Sequence, residues 1–487
     1  MKQRSVRFNF LMNFILTASS LVFPLITHPY VSRVLMPEGM GKAEFAVSVI
    51  SYFTMLAMLG IPTYGIRACA QVRDDKEALS KTVQELMIIN VVMAAVCYVL
   101  LAAAIPLVPR FRAMKLLLWV TSTSILLNAI GVNWFYSAIE EYAYITVRSL
   151  IFKVISIVVM FLFVRSPENV VAYAVVLLIA SYGSYVLNFL RLRKYITFRR
   201  FEHYSFLPHI KVALIFFAMS VATTIYTNLD VVMLGFMKGD AEVGYYYTAV
   251  RVKQILVSLV TSLGTVLLPR LSYYVQSGER EVFYKILHKA IRFVLFAAVP
   301  LTVFFMLCAR ETVLILSGEA FLPSVPGMRI IMPTVLLIGL TNILGIQLMI
   351  PLGQEKKVTL SVAAGGVVDL ILNALLIPSM GASGAALGTL AAELTVLIVQ
   401  LWMTRDTLRA LPRVSVWRIL AAAAMGAGAA LPVQAYMSVP VSVPWLLVKL
   451  MLEAAAFGAA YLAVSLAVRE PLLQEEIIGR LRQMLGR

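Results

Sequence analysis

The sequence predicts an all-α, polytopic membrane protein of about fourteen transmembrane helices, and three observations lead to this prediction. Of the 487 residues, 61% are hydrophobic and only 14% are charged, whereas a soluble domain has about 25% charged residues. Apolar runs of about 20 residues, the length that crosses the hydrocarbon core, recur along the whole chain. No large polar segment separates them. These features exclude a soluble enzyme, a disordered chain and a disulfide scaffold.

The predicted spans follow one another with short connections. Their approximate limits are 9–32, 43–66, 83–108, 115–138, 144–164, 169–190, 209–236, 244–268, 287–309, 327–352, 358–377, 383–404, 416–436 and 444–467. The first run is longer than the apolar region of a signal peptide, and no cleavage site of small residues follows it. We therefore expect it to remain as the first transmembrane helix. The cysteines, Cys69, Cys97 and Cys308, are expected to be buried thiols.

Basic residues are distributed unevenly between the predicted loops. With the N-terminus in the cytoplasm, 29 of the 42 lysines and arginines lie in or beside inner segments and nine lie in or beside outer segments. Because positively charged loops stay on the cytoplasmic side, both termini are expected to be inside. This orientation explains most of the formal net charge of +17. Nucleic-acid binding, another common reason for basic charge, is therefore not predicted.

The two halves of the chain carry similar segments. Gly41 and Ala46, after the first span, correspond to Gly244 and Ala249, after the seventh, at a shared offset of 203 residues. Six spans per half make parallel repeats, and such transporters hold the substrate between the halves near the membrane midplane. The sequence predicts an N-terminal six-helix lobe (1–200), a C-terminal six-helix lobe (201–410), and two extra helices with a cytoplasmic tail (411–487).

Polar residues recur at helical spacing inside several spans, where they usually face protein or water. One such stripe is equally typical of hydrogen-bonded helix packing. Stripes in spans one, seven and eight together favour a shared hydrated cavity. The candidate cavity, gating or coupling residues are Asn13, Thr17, His28, Thr227, Asn228, Asp230, Tyr247 and Gln254. Span four adds a polar stripe with Asn128, Asn133 and Trp134.

Cations inside the spans carry the functional prediction, because an isolated charge there costs a few kcal/mol. Arg251 has two compatible interpretations, an ion pair with Asp230 across the seven–eight hairpin and a contact for an anionic substrate. Arginine suits phosphate, since its planar fork donates two parallel hydrogen bonds. The sequence therefore favours a phosphate or diphosphate head group as the ligand. The candidate substrate-binding residues are Arg33, Lys42, Lys153, Arg251 and Lys253.

Motifs for enzymatic chemistry are absent from the sequence. There is no GxxxxGK[ST] phosphate loop, no HExxH and no GxSxG. No catalytic residue, cofactor or metal site is predicted, and the protein is not expected to be an enzyme. The energy for transport would then come from a H⁺ or Na⁺ gradient or from the gradient of the substrate itself.

Four segments resemble Wzx-type polysaccharide flippases of the multidrug/oligosaccharidyl-lipid/polysaccharide exporter superfamily. They lie in the same order as in that family and span about residues 5 to 410. The segments are the opening from Phe23 to Gly41, the 140–149 segment from Glu140 to Ser149, the seven–eight hairpin from Asn228 to Tyr246, and the eleven–twelve region from Asp369 to Gly388.

The resemblance implies a V-shaped, two-lobe carrier of the bacterial cytoplasmic membrane that works by alternating access. It would move an undecaprenyl-diphosphate-linked oligosaccharide to the outer leaflet for cell-surface polysaccharide synthesis. Its partners would be membrane lipids, a polysaccharide polymerase and glycosyltransferases. The related lipid II flippases carry several arginines along span one, whereas here only Arg33 is present, which favours an oligosaccharide-repeat carrier. The alternatives are a cation-coupled multidrug exporter of the same superfamily and a polysaccharide polymerase or ligase.

Overall fold

The computed structural model describes residues 6–409, 411–412 and 414–474. Within these ranges the chain is helical and contains no β-strand. Eleven helical segments are long and apolar enough to cross a membrane, or twelve if the bent pair Asp240–Ser262 and Leu267–Gln276 forms one span. The predicted all-α, polytopic fold class is therefore confirmed. Most of the predicted cytoplasmic tail, from residue 475 onwards, lies outside the described residues.

The chain divides into two compact units, Met1–Gly244 and Tyr245–Arg487. The helices of the first unit are α1 (Val6–Met58), α2 (Ile61–Gln71), α3 (Lys76–Leu107), α4 (Pro109–Ala113), α5 (Lys115–Gly131), α6 (Asn133–Ala138), α7 (Tyr142–Phe163), α8 (Val170–Leu178), α9 (Tyr185–Leu192) and α10 (Phe206–Met237). Helix α11 (Asp240–Gln276) begins at the end of this unit and continues into the second.

The second unit contains the rest of α11 and eight further α-helices. These are α12 (Arg280–Leu307), α13 (Ala309–Leu316), α14 (Ser324–Ile331), α15 (Thr334–Thr341), α16 (Glu355–Met380), α17 (Ala382–Arg409), α18 (Val416–Tyr436) and α19 (Val443–Ala467). Helix α10, which the sequence repeat assigns to the second lobe, is grouped with the first unit. The lobe boundaries at residues 200 and 410 rest on the sequence repeat and stay a prediction.

Local irregularities of the backbone fall inside several of the predicted spans. The fourth breaks at Val132, which has φ 35° and ψ 39°, outside the right-handed helical region. The sixth contains the π-helical segment Ile179–Gly183, and the tenth contains the π-helical segment Asn342–Met349. The second is interrupted at Leu59 and Gly60, which both have positive φ, and resumes at Ile61. The predicted limits of the spans gave no indication of these irregularities, because an apolar run does not reveal a change in backbone geometry.

The predicted number of fourteen spans stays a prediction, because two helical segments in the first unit do not correspond simply to single membrane crossings. The apolar segment Leu11–Gln71 covers the first two predicted spans. Helix α1 within it is kinked at Met36, which has φ 61° and ψ 174°. Helix α5 has only 17 residues, slightly fewer than the about 20 that a straight crossing needs.

Gly41 and Gly244, the glycines that the sequence repeat aligns, lie against neighbouring backbone in the first unit. A methyl group added at Gly41 would collide with the backbone carbonyl of Asp240 and the backbone nitrogen of Gly244. One added at Gly244 would collide with the backbone of Pro37. Close approach of helix backbones requires residues without a side chain. These glycines therefore permit the contact between the part of α1 that follows its kink and the start of α11.

Each unit has its own apolar interior and a surface rich in exposed apolar side chains. The first core contains Leu86 and Phe135, and the second contains Val299 and Phe457. Large apolar side chains are exposed along α3, α7 and α19, which is the pattern expected where helices face lipid. The expectation that all three cysteines are buried is confirmed.

Candidate functional site

Lys153 projects from α7 onto the polar side of α1. Its ammonium group donates hydrogen bonds to the hydroxyl oxygens of Ser19 at 2.8 Å and Ser20 at 2.9 Å. Both serines also donate to the backbone carbonyl of Leu16, which fixes their hydroxyls on this side of α1. No carboxylate forms an ion pair with Lys153 in the described ranges. Its charge is therefore solvated by neutral groups.

Arg33 and Lys42 lie on either side of the kink in α1. Arg33 is exposed and donates to the backbone carbonyl of Pro29 at 2.7 Å. Lys42 is half-buried and lines a cavity of about 430 Å³. The charged residues around this cavity are Glu38, Lys42, Arg112, Lys115 and Glu168. Lys42 thus shares a mixed-charge cavity rather than a purely cationic one.

Three of the residues predicted for span eight lie together on α11 in the second unit. Arg251 donates to Tyr247 Oη, and it also donates to Gln254 Oε1 at 3.3 Å. Its guanidinium carbon lies 4.9 Å from the centroid of the Tyr247 ring, within the range of a cation–π interaction. Lys253 is half-buried on the same helix. The predicted stripe of Tyr247, Arg251 and Gln254 is therefore a connected group of side chains.

The polar residues predicted on α10 are held largely by their own helix. Thr227 Oγ1 donates to the carbonyl of Thr223 at 2.9 Å. Asn228 Nδ2 donates to the carbonyl of Thr224 and to Thr227 Oγ1, both at 3.0 Å. Asp230, one turn from Thr227, is buried. Asp230 belongs to the first unit and Arg251 to the second, so the predicted ion pair between them stays a prediction.

The residues predicted on span one differ in exposure. Asn13 and Thr17 are exposed, and Thr17 Oγ1 donates to the carbonyl of Asn13 at 2.9 Å. His28 is buried and its carbonyl accepts a hydrogen bond from Ser32 Oγ at 2.7 Å. Within the first unit, the structure thus brings Lys153 to the stripe on α1. The assignment of these side chains to a common substrate cavity stays a prediction.

Arg148 is a buried cation near one end of the fifth predicted span, and it was not among the predicted site residues. It lies on α7 with 3% of its surface exposed. Its guanidinium donates to Ser184 Oγ at 2.8 Å, to the Ser184 carbonyl at 3.1 Å, and to Asn133 Oδ1. The rings of Tyr144 and Tyr185 flank it, with centroids 5.4 Å and 5.5 Å away. The available signal was the polar pair Asn133–Trp134 in the fourth span.

A buried group of charged side chains in the second unit was only partly predictable from the sequence. Lys449 on α19 lies 3.2 Å from Glu311 Oε1 on α13 and 3.9 Å from Glu453 Oε1 on its own helix. Lys449 Nζ also donates to the carbonyl of Gln434 at 3.2 Å. Lys449 and Glu453 lie inside the predicted span 444–467, whereas Glu311 lies just after the predicted span 287–309. This group ties the C-terminal helix to α13.

A hydrogen-bonded chain joins α2, α3 and α10 in the first unit. The Tyr64 hydroxyl lies 2.7 Å from His209 Nδ1, and His209 Nε2 lies 2.8 Å from Glu85 Oε2. Nearby, Arg191 contacts Glu141 at 3.8 Å and donates to the Tyr195 hydroxyl at 3.1 Å. Burial, with the hydrogen bond from Arg191 opposing it, raises the pKa of Tyr195. These contacts organise the ends of the helices.

Comparison with known proteins identifies relatives along most of the chain. The family model described as "Polysaccharide biosynthesis protein" matches residues 6–275. A protein of Shigella dysenteriae assigned as an O-antigen transporter is 24% identical over 400 residues, which cover 81% of this chain and 98% of the relative.

Two solved structures are similar in fold. The lipid II flippase MurJ, in an inward closed conformation, matches with a TM-score of 0.72 and 16% identity over 94% of this chain and 99% of its own. A multidrug resistance MATE family transporter of the MOP superfamily, in an inward-facing conformation, matches with a TM-score of 0.60 and 15% identity. This match covers 82% of this chain and 98% of the transporter. The family match covers more than half of the chain, and the chain belongs to the polysaccharide biosynthesis protein family.

Proposed function

We propose that this protein is a flippase for lipid-linked oligosaccharides in the bacterial inner membrane. The observation that carries the proposal is the environment of Lys153, a cation inside a span that is held by the hydroxyls of Ser19 and Ser20. A charge at membrane depth usually faces a partner or a water-filled path. With neutral partners only, Lys153 retains a positive charge that an anionic substrate neutralises.

The substrate class follows from charge and family together. The O-antigen transporter of Shigella dysenteriae is aligned over nearly its whole length with this chain. An O-antigen repeat unit assembled on undecaprenyl diphosphate has an anionic head that must cross the hydrocarbon core. Lys153 and Arg251 supply cations within spans, and the guanidinium of Arg251 is oriented by Tyr247 and Gln254. We propose undecaprenyl-diphosphate-linked oligosaccharide repeat units as the substrate and alternating access as the mechanism.

The protein acts in this proposal as a transporter and not as an enzyme. Glycosyltransferases that build the repeat unit would supply its substrate on the inner leaflet. A polysaccharide polymerase would consume the product on the outer leaflet. The lipids around the helices are the remaining partners.

We also propose that translocation is coupled to a H⁺ or Na⁺ gradient. Buried oxygen-bearing side chains in the second unit support this proposal. Asp369 and Asn373 on α16 face Gly388 on α17, since a methyl group added at Gly388 would lie 3.2 Å from Asp369 Oδ1. Thr389 and Glu393 are buried on the same helix as Gly388. Acidic side chains inside transmembrane segments are typical of proton and ion pathways, and we infer that this group takes part in coupling.

Removal of the gene from the cell that makes the protein tests this function. Lipid-linked repeat units should accumulate on the inner leaflet, and surface polysaccharide should be lost until the wild-type gene is restored. A drug exporter would instead change the accumulation of a cationic dye such as ethidium and leave surface polysaccharide intact. Normal surface polysaccharide in the deleted strain would contradict the proposal.

A further inference from the structure

A cavity in the first unit is lined by polar side chains that donate hydrogen bonds. Its volume is about 200 Å³, well above the about 10–15 Å³ that a cavity needs to hold one water molecule. Helices α1 and α2 supply an apolar wall, and α5, α6 and α9 supply the polar groups. The polar lining residues are Asn128, Asn133, Trp134, Ser137 and Tyr185. No carboxylate lines this cavity in the described part of the chain.

Arg148 lies directly behind this lining. It donates to Asn133 Oδ1 and packs against the ring of Tyr185, and both of those residues line the cavity. No carboxylate pairs with Arg148 in the ranges that the structure describes. A buried guanidinium with only neutral partners keeps a positive potential in its surroundings. The cavity is therefore electropositive without being lined by the cation itself.

The donors and acceptors around this cavity also favour an anionic ligand. Arginine has no acceptor, so Asn133 must present its oxygen to Arg148, which leaves its amide N–H groups for another partner. The indole nitrogen of Trp134 is a donor only, and it has no hydrogen-bond partner among the described residues although the side chain is 4% exposed. Buried donors are normally satisfied. Trp134, one of the residues that line this cavity, therefore keeps an unsatisfied buried donor.

Two helix breaks bring these residues together. Val132, with φ 35°, ends α5 immediately before Asn133 and Trp134. The π-helical segment Ile179–Gly183 ends immediately before Ser184 and Tyr185. Ser184 accepts a hydrogen bond from Arg148. A β-branched residue at positive φ is strained, and both such strain and π-helical turns are enriched at functional sites. Both irregularities adjoin this one cavity.

We propose that this cavity is a binding site for a phosphate-type oxyanion, with Asn133 and Trp134 as donors and Arg148 as the positioning charge behind them. The phosphate is either free inorganic phosphate or the phosphate of a polyprenyl-linked substrate. The second source rests on the proposed function, whereas the first is independent of it.

The test is a binding measurement on the purified full-length protein in detergent. Tryptophan fluorescence and the unfolding temperature are followed during titration with inorganic phosphate and, separately, with geranyl monophosphate. Trp134→Phe keeps an aromatic ring and removes the N–H donor. We expect it to weaken phosphate binding about tenfold, the usual effect of losing a hydrogen bond to a charged group. Trp119→Phe is the matched control, because Trp119 is an exposed tryptophan on α5 outside the cavity.

Asn133→Asp separates a binding role from a purely structural one. The new carboxylate forms an ion pair with Arg148 and preserves or improves packing, but it neutralises the cavity and repels an anion. We expect phosphate binding to be lost while the unfolding temperature without ligand is maintained. If Asn133→Asp and Trp134→Phe both bind phosphate as the wild type does, the site is overturned.

The two probes distinguish the sources of the phosphate. Binding of inorganic phosphate alone assigns a free-anion site, and tighter binding of geranyl monophosphate assigns a contact with the substrate. Failure of both probes to bind the wild type overturns the proposal. Because binding is read on the purified protein, this outcome is independent of whether reconstituted protein moves lipid-linked oligosaccharide.

Discussion

The ammonium group of Lys153 on α7 lies 2.8 Å from the hydroxyl oxygen of Ser19 on α1. The contact joins the fifth predicted span to the polar stripe of the first. It places a cation among hydroxyl groups that solvate its charge without neutralising it. This arrangement is suited to a charge that must be available to a passing anion.

Lys153→Met should therefore abolish most transport without unfolding the protein. The substitution keeps the length of the side chain and removes the charge, so an anionic head group loses a partner. We expect the translocation rate to fall at least about tenfold, as for a lost charge-assisted hydrogen bond. Lys238→Met, at an exposed lysine after α10, is the control and should keep the wild-type rate. A wild-type rate for Lys153→Met would remove Lys153 from the transport path.

The glycine contact at the start of α11 predicts a strong dependence on residue size. Gly41→Ala pushes a methyl group into the backbone of Asp240, which cannot move as a flexible side chain would. We expect a loss of about 1–3 kcal/mol, as for overpacked sites. The measurement is the unfolding temperature of the purified protein.

Gly366→Ala on α16 provides the matched control for Gly41→Ala. A methyl group at Gly366 meets nothing within 4 Å. Helix propensity then favours alanine by about 0.8–1.0 kcal/mol, and the unfolding temperature should stay unchanged or rise. Equal destabilisation by the two substitutions would show that the close contact at Gly41 is unimportant.

The buried charges around Lys449 predict an asymmetry between two substitutions. Lys449→Met leaves Glu311 and Glu453 buried without their cation, and removing one partner of a buried ion pair costs about 3–5 kcal/mol. Glu453→Gln leaves the closer pair of Lys449 and Glu311 intact and should be tolerated. Unfolding temperatures of the two variants test this. The reverse order of stability would contradict the pairing.

Ion coupling predicts that Asp369 controls the response to a gradient. Asp369→Asn removes a buried negative charge from α16, where Asp369 is 2% exposed. Transport should lose its stimulation by an imposed H⁺ or Na⁺ gradient while a basal rate remains. Asp406→Asn, at an exposed carboxylate near the end of α17, should keep the stimulation. A wild-type rate that is indifferent to collapse of both gradients would contradict coupling.

The fold class was accessible from the sequence because apolar length is a direct consequence of membrane thickness. The interruptions of the helices were not accessible from the sequence. Val132 sits in an apolar run that favours a helix, and its positive φ depends on tertiary contacts such as the hydrogen bond from Asn188 Nδ2 to the Gly131 carbonyl at 2.6 Å. The local sequence around Val132 does not indicate a hydrogen-bond partner that lies 57 residues further along the chain than Gly131.

The candidate site was predictable only in part, because some of its residues are identified by tertiary contacts and not by the local sequence. Lys153 was recognised because it interrupts an apolar run, and the structure gives it polar partners on α1. Arg148 lies closer to the helix end, so its position along the chain resembles that of an ordinary loop cation. In the structure Arg148 is buried and donates hydrogen bonds to Ser184 and Asn133. Burial of a cation near a helix end is a tertiary property.

The most direct test of the proposed flippase activity measures translocation in vesicles that contain only this protein. A fluorescent undecaprenyl-diphosphate disaccharide is placed in both leaflets, and an impermeant reductant is added outside. With the protein present, we expect the whole fluorescent pool to be bleached over time, and more slowly with Lys153→Met. Bleaching that stops at the outer leaflet, as in vesicles without protein, would contradict it.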